Sequence, residues 1–177
     1  MKLIMKHPRG TVQSTHNSGF TFLEGVMVIG ILAISAAIAA PMYQILQSDR
    51  LSAVSREVIS QLRVAQIAAV KEDRFTRFKT DPGYPNSYRI EMSANNTTWP
   101  LLTATVAGTA GTLPRVVTDW VNVTSQYADI SIASPNTVPF DFRGAIANNL
   151  GDMGIGLSGP TGTKTITVNH SGSILVQ

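Results

Sequence analysis

The hydrophobic pattern of this chain changes character twice. Residues 1–19 are polar and basic, and Pro8, Gly10 and Gly19 break any regular element there. An apolar run follows: Gly25 to Ala40 carries no charge, and Glu24 is the only charged residue between Arg9 and Asp49. Residues 20–43 are long enough to cross a bilayer as a helix, at about 1.5 Å per residue. From Met42 to Asp81 there is neither glycine nor proline. Leu51, Val54, Val58, Leu62, Ala65 and Ala69 recur there at spacings of three and four. Such spacing puts them on one helical face, while Arg50, Arg56, Glu57, Arg63, Lys71 and Glu72 fall largely elsewhere. The pattern predicts one long helix over about residues 20–73, whose second half is amphipathic and packs on a globular body.

After Arg74, Thr, Val, Ile, Asn and Gly dominate, in short apolar runs bounded by turn residues. Strands are predicted at 75–80 and 88–92, joined across 81–86, and at 115–118, 130–133, 138–142, 154–157, 164–169 and 173–176. Residues 93–112 read mostly as a loop anchored by Trp99 and Leu101. The class is α+β, a long N-terminal helix laid against antiparallel sheet, with no internal repeat and no second globular domain.

Composition sharpens this picture. Of 177 residues, 44% are hydrophobic and 14% charged, few charges for a soluble cytoplasmic protein. The absence of cysteine excludes disulfides, thiolate metal sites and cysteine nucleophiles. The net charge of +3 belongs to Lys2, Lys6 and Arg9, because from Phe20 onward 11 basic residues balance 11 acidic ones. A neutral body gives little steering toward DNA or anionic membranes. The basic flank precedes the apolar run, which places the N-terminus in the cytoplasm and the rest outside.

Glu24 discriminates among three readings of the apolar run. A secretory signal peptide is one, with Ala37-Ile38-Ala39 as a small-x-small cleavage pattern releasing the chain at Ala40. A plain membrane anchor is the second. Neither gains from an acid at the edge of the apolar run, which costs a few kcal/mol there. The third rests on Gly19-Phe20-Thr21-Phe22-Leu23-Glu24, which resembles the type IV prepilin cleavage site. The resemblance implies cutting after Gly19 by a prepilin peptidase, N-methylation of Phe20, and a role for Glu24, the fifth residue from the cut. In a filament core, Glu24 of one subunit would neutralise the Phe20 amine of its neighbour, because a buried charge needs a partner. Pro41 and Tyr43 also stand where that family has a proline and an aromatic. The implied divisions are a leader at 1–19, a transmembrane and filament-core helix at 20–43, an amphipathic helix at 44–74 and a β-rich head at 75–177.

Two later segments narrow the likeness. Val138-Pro139-Phe140-Asp141-Phe142-Arg143-Gly144 and Thr165-Ile166-Thr167-Val168-Asn169-His170-Ser171-Gly172 resemble the glycine turn and closing hairpin of H-type pseudopilins of type II secretion and FimT-like minor pilins. Leu62-Arg63-Val64-Ala65-Gln66 is similar to their helix pattern, which more often has Arg where Gln66 stands. FimT-like proteins implicated in DNA uptake often carry arginine directly after the last glycine. Here Ser173, Ile174 and Leu175 follow Gly172, which argues against DNA binding. The basic run Lys71, Arg74, Arg77 and Lys79 contains Glu72 and Asp73 and reads as a solvated face.

Enzymatic readings find little support. His170 is the only histidine after Gly19 and reads as a turn residue, and no G-x-S-x-G elbow or phosphate-binding glycine loop is present. Asp141, Asn148, Asn149 and Asp152 supply oxygen atoms, but their spacing matches no dedicated calcium loop. No cofactor is expected. The resemblance implies a minor pilin or pseudopilin of a type IV pilus or type II secretion pseudopilus, seated in the bacterial inner membrane before entering a filament. Its implied partners are other pilin or pseudopilin subunits, the peptidase, an inner-membrane assembly platform and a cytoplasmic ATPase. A filament-tip receptor for DNA or another extracellular ligand is the alternative from the binding class.

Overall fold

The computed structural model describes residues 20–106, 112–134 and 136–177. Helix α1 spans Phe22–Glu72 with Pro41 inside it, two residues inside the predicted start and one inside the predicted end. Contacts divide the chain into two units, one ending at Pro41 and the other beginning at Met42. In the first, every described side chain is exposed, including the large apolar residues from Phe22 to Ile38. Among the described residues, the second unit holds the hydrophobic core. Its residues run from Leu51 on α1 to Val168, with Ile174 packed against them.

The six residues of the predicted stripe are all buried, the least covered being Leu51 at 4%. The helix ends without glycine. Asp73 adopts φ 52, Arg74 N–H donates to Ala69 O at 3.1 Å, and Asp73 N–H donates to Val70 O. That pair of bonds is the left-handed cap usually built on glycine. It turns the chain directly into β1.

The sheet portion of the expectation divides into two four-stranded antiparallel sheets. The first, in order β3-β2-β1-β5, comprises β1 Phe75–Asp81, β2 Tyr84–Ser93, β3 Arg115–Asn122 and β5 Val138–Phe140. The second, in order β4-β6-β7-β8, comprises β4 Ser131–Ser134, β6 Met153–Gly159, β7 Gly162–Val168 and β8 Ile174–Val176. A short helix, α2 Val123–Gln126, links β3 to β4. The β1–β2 connection is tighter than expected, with Asp81 facing Tyr84 across Pro82-Gly83. Asp81 Oδ1 accepts the Gly83 N–H at 2.9 Å, a local bond that closes the turn. That bond holds the Asp81 carboxyl below its ordinary range, with burial opposing it and Lys79 assisting.

Strand β1 alternates as its sequence requires. Thr76, Phe78 and Thr80 are buried, and the residues between them are half-buried. The Thr76 hydroxyl donates to Ala65 O at 2.7 Å and fastens the strand to the helix. Phe78 stacks on Tyr88 of β2 with centroids 4.9 Å apart, and the Tyr88 hydroxyl donates to Glu57 Oε1 at 2.9 Å. Burial, then that carboxylate, pushes the Tyr88 phenol well above its usual range, so it remains a donor.

Strand β2 departs from alternation. Ser87 to Ser93 are buried on both faces. Tyr88, Ile90 and Met92 belong to one face, and on the other Arg89 meets the loop that follows. Trp99 does anchor that loop, with the Arg77 guanidinium 4.1 Å from its ring centroid. Leu101 does not: its side chain is 77% exposed. The anchor there is Arg89, fully buried, whose guanidinium donates to the carbonyls of Leu101 and Leu102 at 3.0 Å and of Ala104 at 3.2 Å. Glu91 Oε1 and Oε2 accept from Arg89 and Arg77 respectively. Trp120 lies 4.7 Å from the Arg89 guanidinium and stacks on Tyr84 at 4.4 Å.

Candidate assembly segment and head-domain junction

Gly19, half of the expected cleavage site, and the rest of the 1–19 leader lie outside the described residues. Phe20 precedes α1 and is 78% exposed. Thr21 caps the helix: its Oγ1 accepts the Glu24 N–H at 3.3 Å, and its carbonyl accepts from Glu24 and Gly25 N–H, both at 3.1 Å. Glu24 is then the third residue of the helix, and Thr-x-x-Glu is the order of a capping box. A carboxylate there also meets the positive end of the helix dipole, worth roughly 0.3–1 kcal/mol. No cation pairs with Glu24 among the described residues. Pro41 lies inside α1 and removes the ladder bond to the carbonyl four residues back. Tyr43, two residues on, is exposed. Among the described residues, α1 holds the one stretch long and apolar enough to cross a membrane.

In the head, three segments singled out from sequence come together at Gln66. Its Nε2 donates to Gly144 O at 2.7 Å and to Gly172 O at 3.1 Å. One side-chain amide has two N–H donors, and here each finds a carbonyl. Both glycines adopt left-handed backbone, Gly144 at φ 80 and Gly172 at φ 88. A Cβ on Gly172 would stand 2.1 Å from Gly144 O and 2.6 Å from Gln66 Nε2. Glycine is therefore required twice over, by conformation and by space. Gly172→Ala is expected to lower head stability by about 3 kcal/mol or more, read as a lower melting temperature. A melting point equal to wild type would show that the two turns separate without loss.

The remaining candidates are placed as follows. Asp141 is buried and turned into its own loop, where Oδ1 accepts N–H of Arg143 at 2.9 Å and Ala145 at 3.0 Å, and Oδ2 accepts from the Arg143 guanidinium at 3.0 Å. Asp152 Oδ1 accepts the His170 N–H at 3.1 Å, and His170 sits in the β7–β8 turn. Asn148 has φ 63 in a single 3-10 turn, Ala147–Asn149. Among the described residues, no group of three or more histidines and carboxylates is placed to hold a metal ion. The basic run is largely engaged inside the head. Arg77 pairs with Glu91, Lys79 with Asp81 at 3.3 Å, and Arg74 donates to Asp73 O. Burial holds the Arg77 guanidinium below its ordinary value, with Glu91 pulling it back up. Sequence reasoning missed the Arg89–Glu91 pair, because charges alternating with apolar residues on a strand normally face water.

No protein-family model matches the chain, and no curated protein matches it in sequence. In structure it is similar to the type IV minor pilin FimU of Pseudomonas aeruginosa strain PAO1, with TM-score 0.50 and 13% sequence identity. The match covers 74% of this chain and 90% of that one. At this identity the likeness is one of fold: a long N-terminal helix followed by antiparallel sheet, the architecture of a pilin.

Proposed function

We propose that this chain is a minor subunit of a type IV pilus-like filament, made as a prepilin, cut after Gly19 and N-methylated at Phe20. Its 20–43 segment first holds it in the bacterial inner membrane and then packs among other pilin helices in the filament core, with the head outward. Prepilin peptidase and an inner-membrane platform are the partners this route requires. The pilin fold supports the reading, and Glu24 carries it. An acid within an otherwise uncharged apolar helix costs free energy in a membrane, and before cleavage it faces no cation among the described residues. Cutting the Gly19–Phe20 bond creates the missing cation as the new Phe20 amine. Glu24 lies within the first helical turn, so the amine of a neighbouring subunit shifted along the axis can meet it.

The fold is shared by pilus and secretion subunits. The filament is therefore a type IV pilus or a type II secretion pseudopilus, and the structural likeness to a pilus subunit supports the first. The test is the mass and N-terminal sequence of the membrane-associated protein, with and without prepilin peptidase. A start at methylated Phe20 that disappears without the peptidase is expected. A start at Met1 or Ala40 in both strains would replace the pilin reading with that of an anchored or exported β-rich domain.

A further inference from the structure

The second half of α1 has a second apolar face. Val64, Ile67 and Val70 recur every third residue, are exposed, and point away from the core stripe of Leu62, Ala65 and Ala69. Ile67, at 62% exposure, lies in the middle of that face. Beside it is an open groove of about 300 Å³, lined by Gln66, Ile67, Val70, Lys71, Arg143 and Gly144. That volume is at the lower end for a small-molecule site, which runs from about 300 to 1,000 Å³. It has room for one or two apolar side chains.

The unpaired cations beside this groove are Arg63 and Lys71, because Arg143 is held by Asp141 at 3.0 Å. Arg63 is one turn before Ile67 on the same face, and Lys71 and Arg143 form the groove walls. Neither Arg63 nor Lys71 forms an ion pair among the described residues. Three of the nearby carboxylates are already engaged. Glu72 reaches across to Arg115 at 2.5 Å, Glu57 accepts from Tyr88, and Asp141 is held in its own turn. The junction at Gln66 also fixes the groove wall, because Gly144 is held there by the 2.7 Å bond.

We infer that this face is a docking surface for an amphipathic, acidic helix of another protein, inserting an apolar anchor beside Ile67 and Val70 and setting carboxylates against Arg63 and Lys71. Helix-in-groove recognition uses apolar anchors at helical spacing, with the flanking charges setting partner choice. The biological setting, a neighbouring filament subunit, rests on the function proposed above. The binding itself does not, so it can fail while the processing result stands.

Residues 42–177 can be tested alone, because that unit contains the hydrophobic core of the described residues. The probe is a labelled helical peptide of about 18 residues, roughly five turns, with Leu on one face and Glu on the other. A second peptide carries Lys in place of Glu. Fluorescence anisotropy is expected to show the acidic peptide binding at least about tenfold more tightly, by a margin that shrinks as salt rises. Ile67→Asp is expected to weaken it by about tenfold or more, and Lys71→Glu to narrow the preference. Both positions are exposed, so circular dichroism should show an unchanged fold. Should Ile67→Asp disturb the helix, Lys71→Glu decides alone. Equal binding of the two peptides, binding of neither, or indifference to Lys71→Glu would overturn the inference.

Discussion

Glu24→Ala is expected to leave cleavage after Gly19 and membrane insertion intact while reducing recovery in sheared filaments roughly tenfold or more, where each decade corresponds to about 1.4 kcal/mol. The substitution removes the one charge in the apolar helix, so insertion should if anything become easier. What it takes away is the counter-charge for a neighbour's Phe20 amine, which would then enter an apolar core unpaired. Two companion substitutions separate this from the local alternative. Thr21 and Glu24 stand in capping-box order, and a cap contributes about 1 kcal/mol to the helix itself. Glutamine preserves the capping geometry and loses the charge, whereas aspartate keeps the charge on a shorter arm. Filament recovery should follow charge: Glu24→Gln as poor as alanine, and Glu24→Asp partly restored. Glutamine at the wild-type level would assign Glu24 to the cap and leave the charge-pairing proposal without its central residue.

Arg89→Ala is expected to destabilise the head by about 3 kcal/mol, the lower end of what breaking a buried ion pair costs, and to lower its melting temperature by roughly 10 °C. The lower end applies because Arg77 still donates to Glu91 after the change. The same substitution frees three carbonyls, those of Leu101, Leu102 and Ala104. Cleavage by chymotrypsin at Leu101 and Leu102 should therefore accelerate under native conditions. A second change, Glu91→Leu on the Arg89→Ala background, removes the partly orphaned carboxylate. It should recover part of the melting temperature but none of the protease resistance, because the loop bonds are still missing. Equal melting temperatures for the single and double variants would show that Glu91 tolerates the loss of Arg89, and that the whole effect comes from the loop.

These two residues also mark how far sequence reading reached. Glu24 stood out because a single charge in a long apolar run is a local anomaly, visible without knowing any contact. Arg89 did not. In the order Tyr88-Arg89-Ile90-Glu91-Met92, the strand pattern places the two charges toward solvent, and only a loop folded across that face from further along the chain turns them into a buried pair. Trp99 anchors the loop, as a large aromatic that seeks burial, whereas Leu101 stays exposed. The loop instead is held through its backbone carbonyls, to which side-chain hydrophobicity gives no clue.

The amino-acid sequence alone determined the long helix, the stripe from Leu51 to Ala69 that faces the core, the placement of most strands, and the uncharged run broken only at Glu24. All of these follow from periodicity and composition within a few turns of chain. The tertiary structure decided the division into two sheets, the pairing of β1 with β5, the left-handed helix end at Asp73 where no glycine announces it, and the meeting of Gly144 and Gly172 on Gln66. The last joins residues 78 and 106 positions apart. Such contacts depend on which backbone groups remain unpaired once the core has closed, and no local pattern of side chains records that.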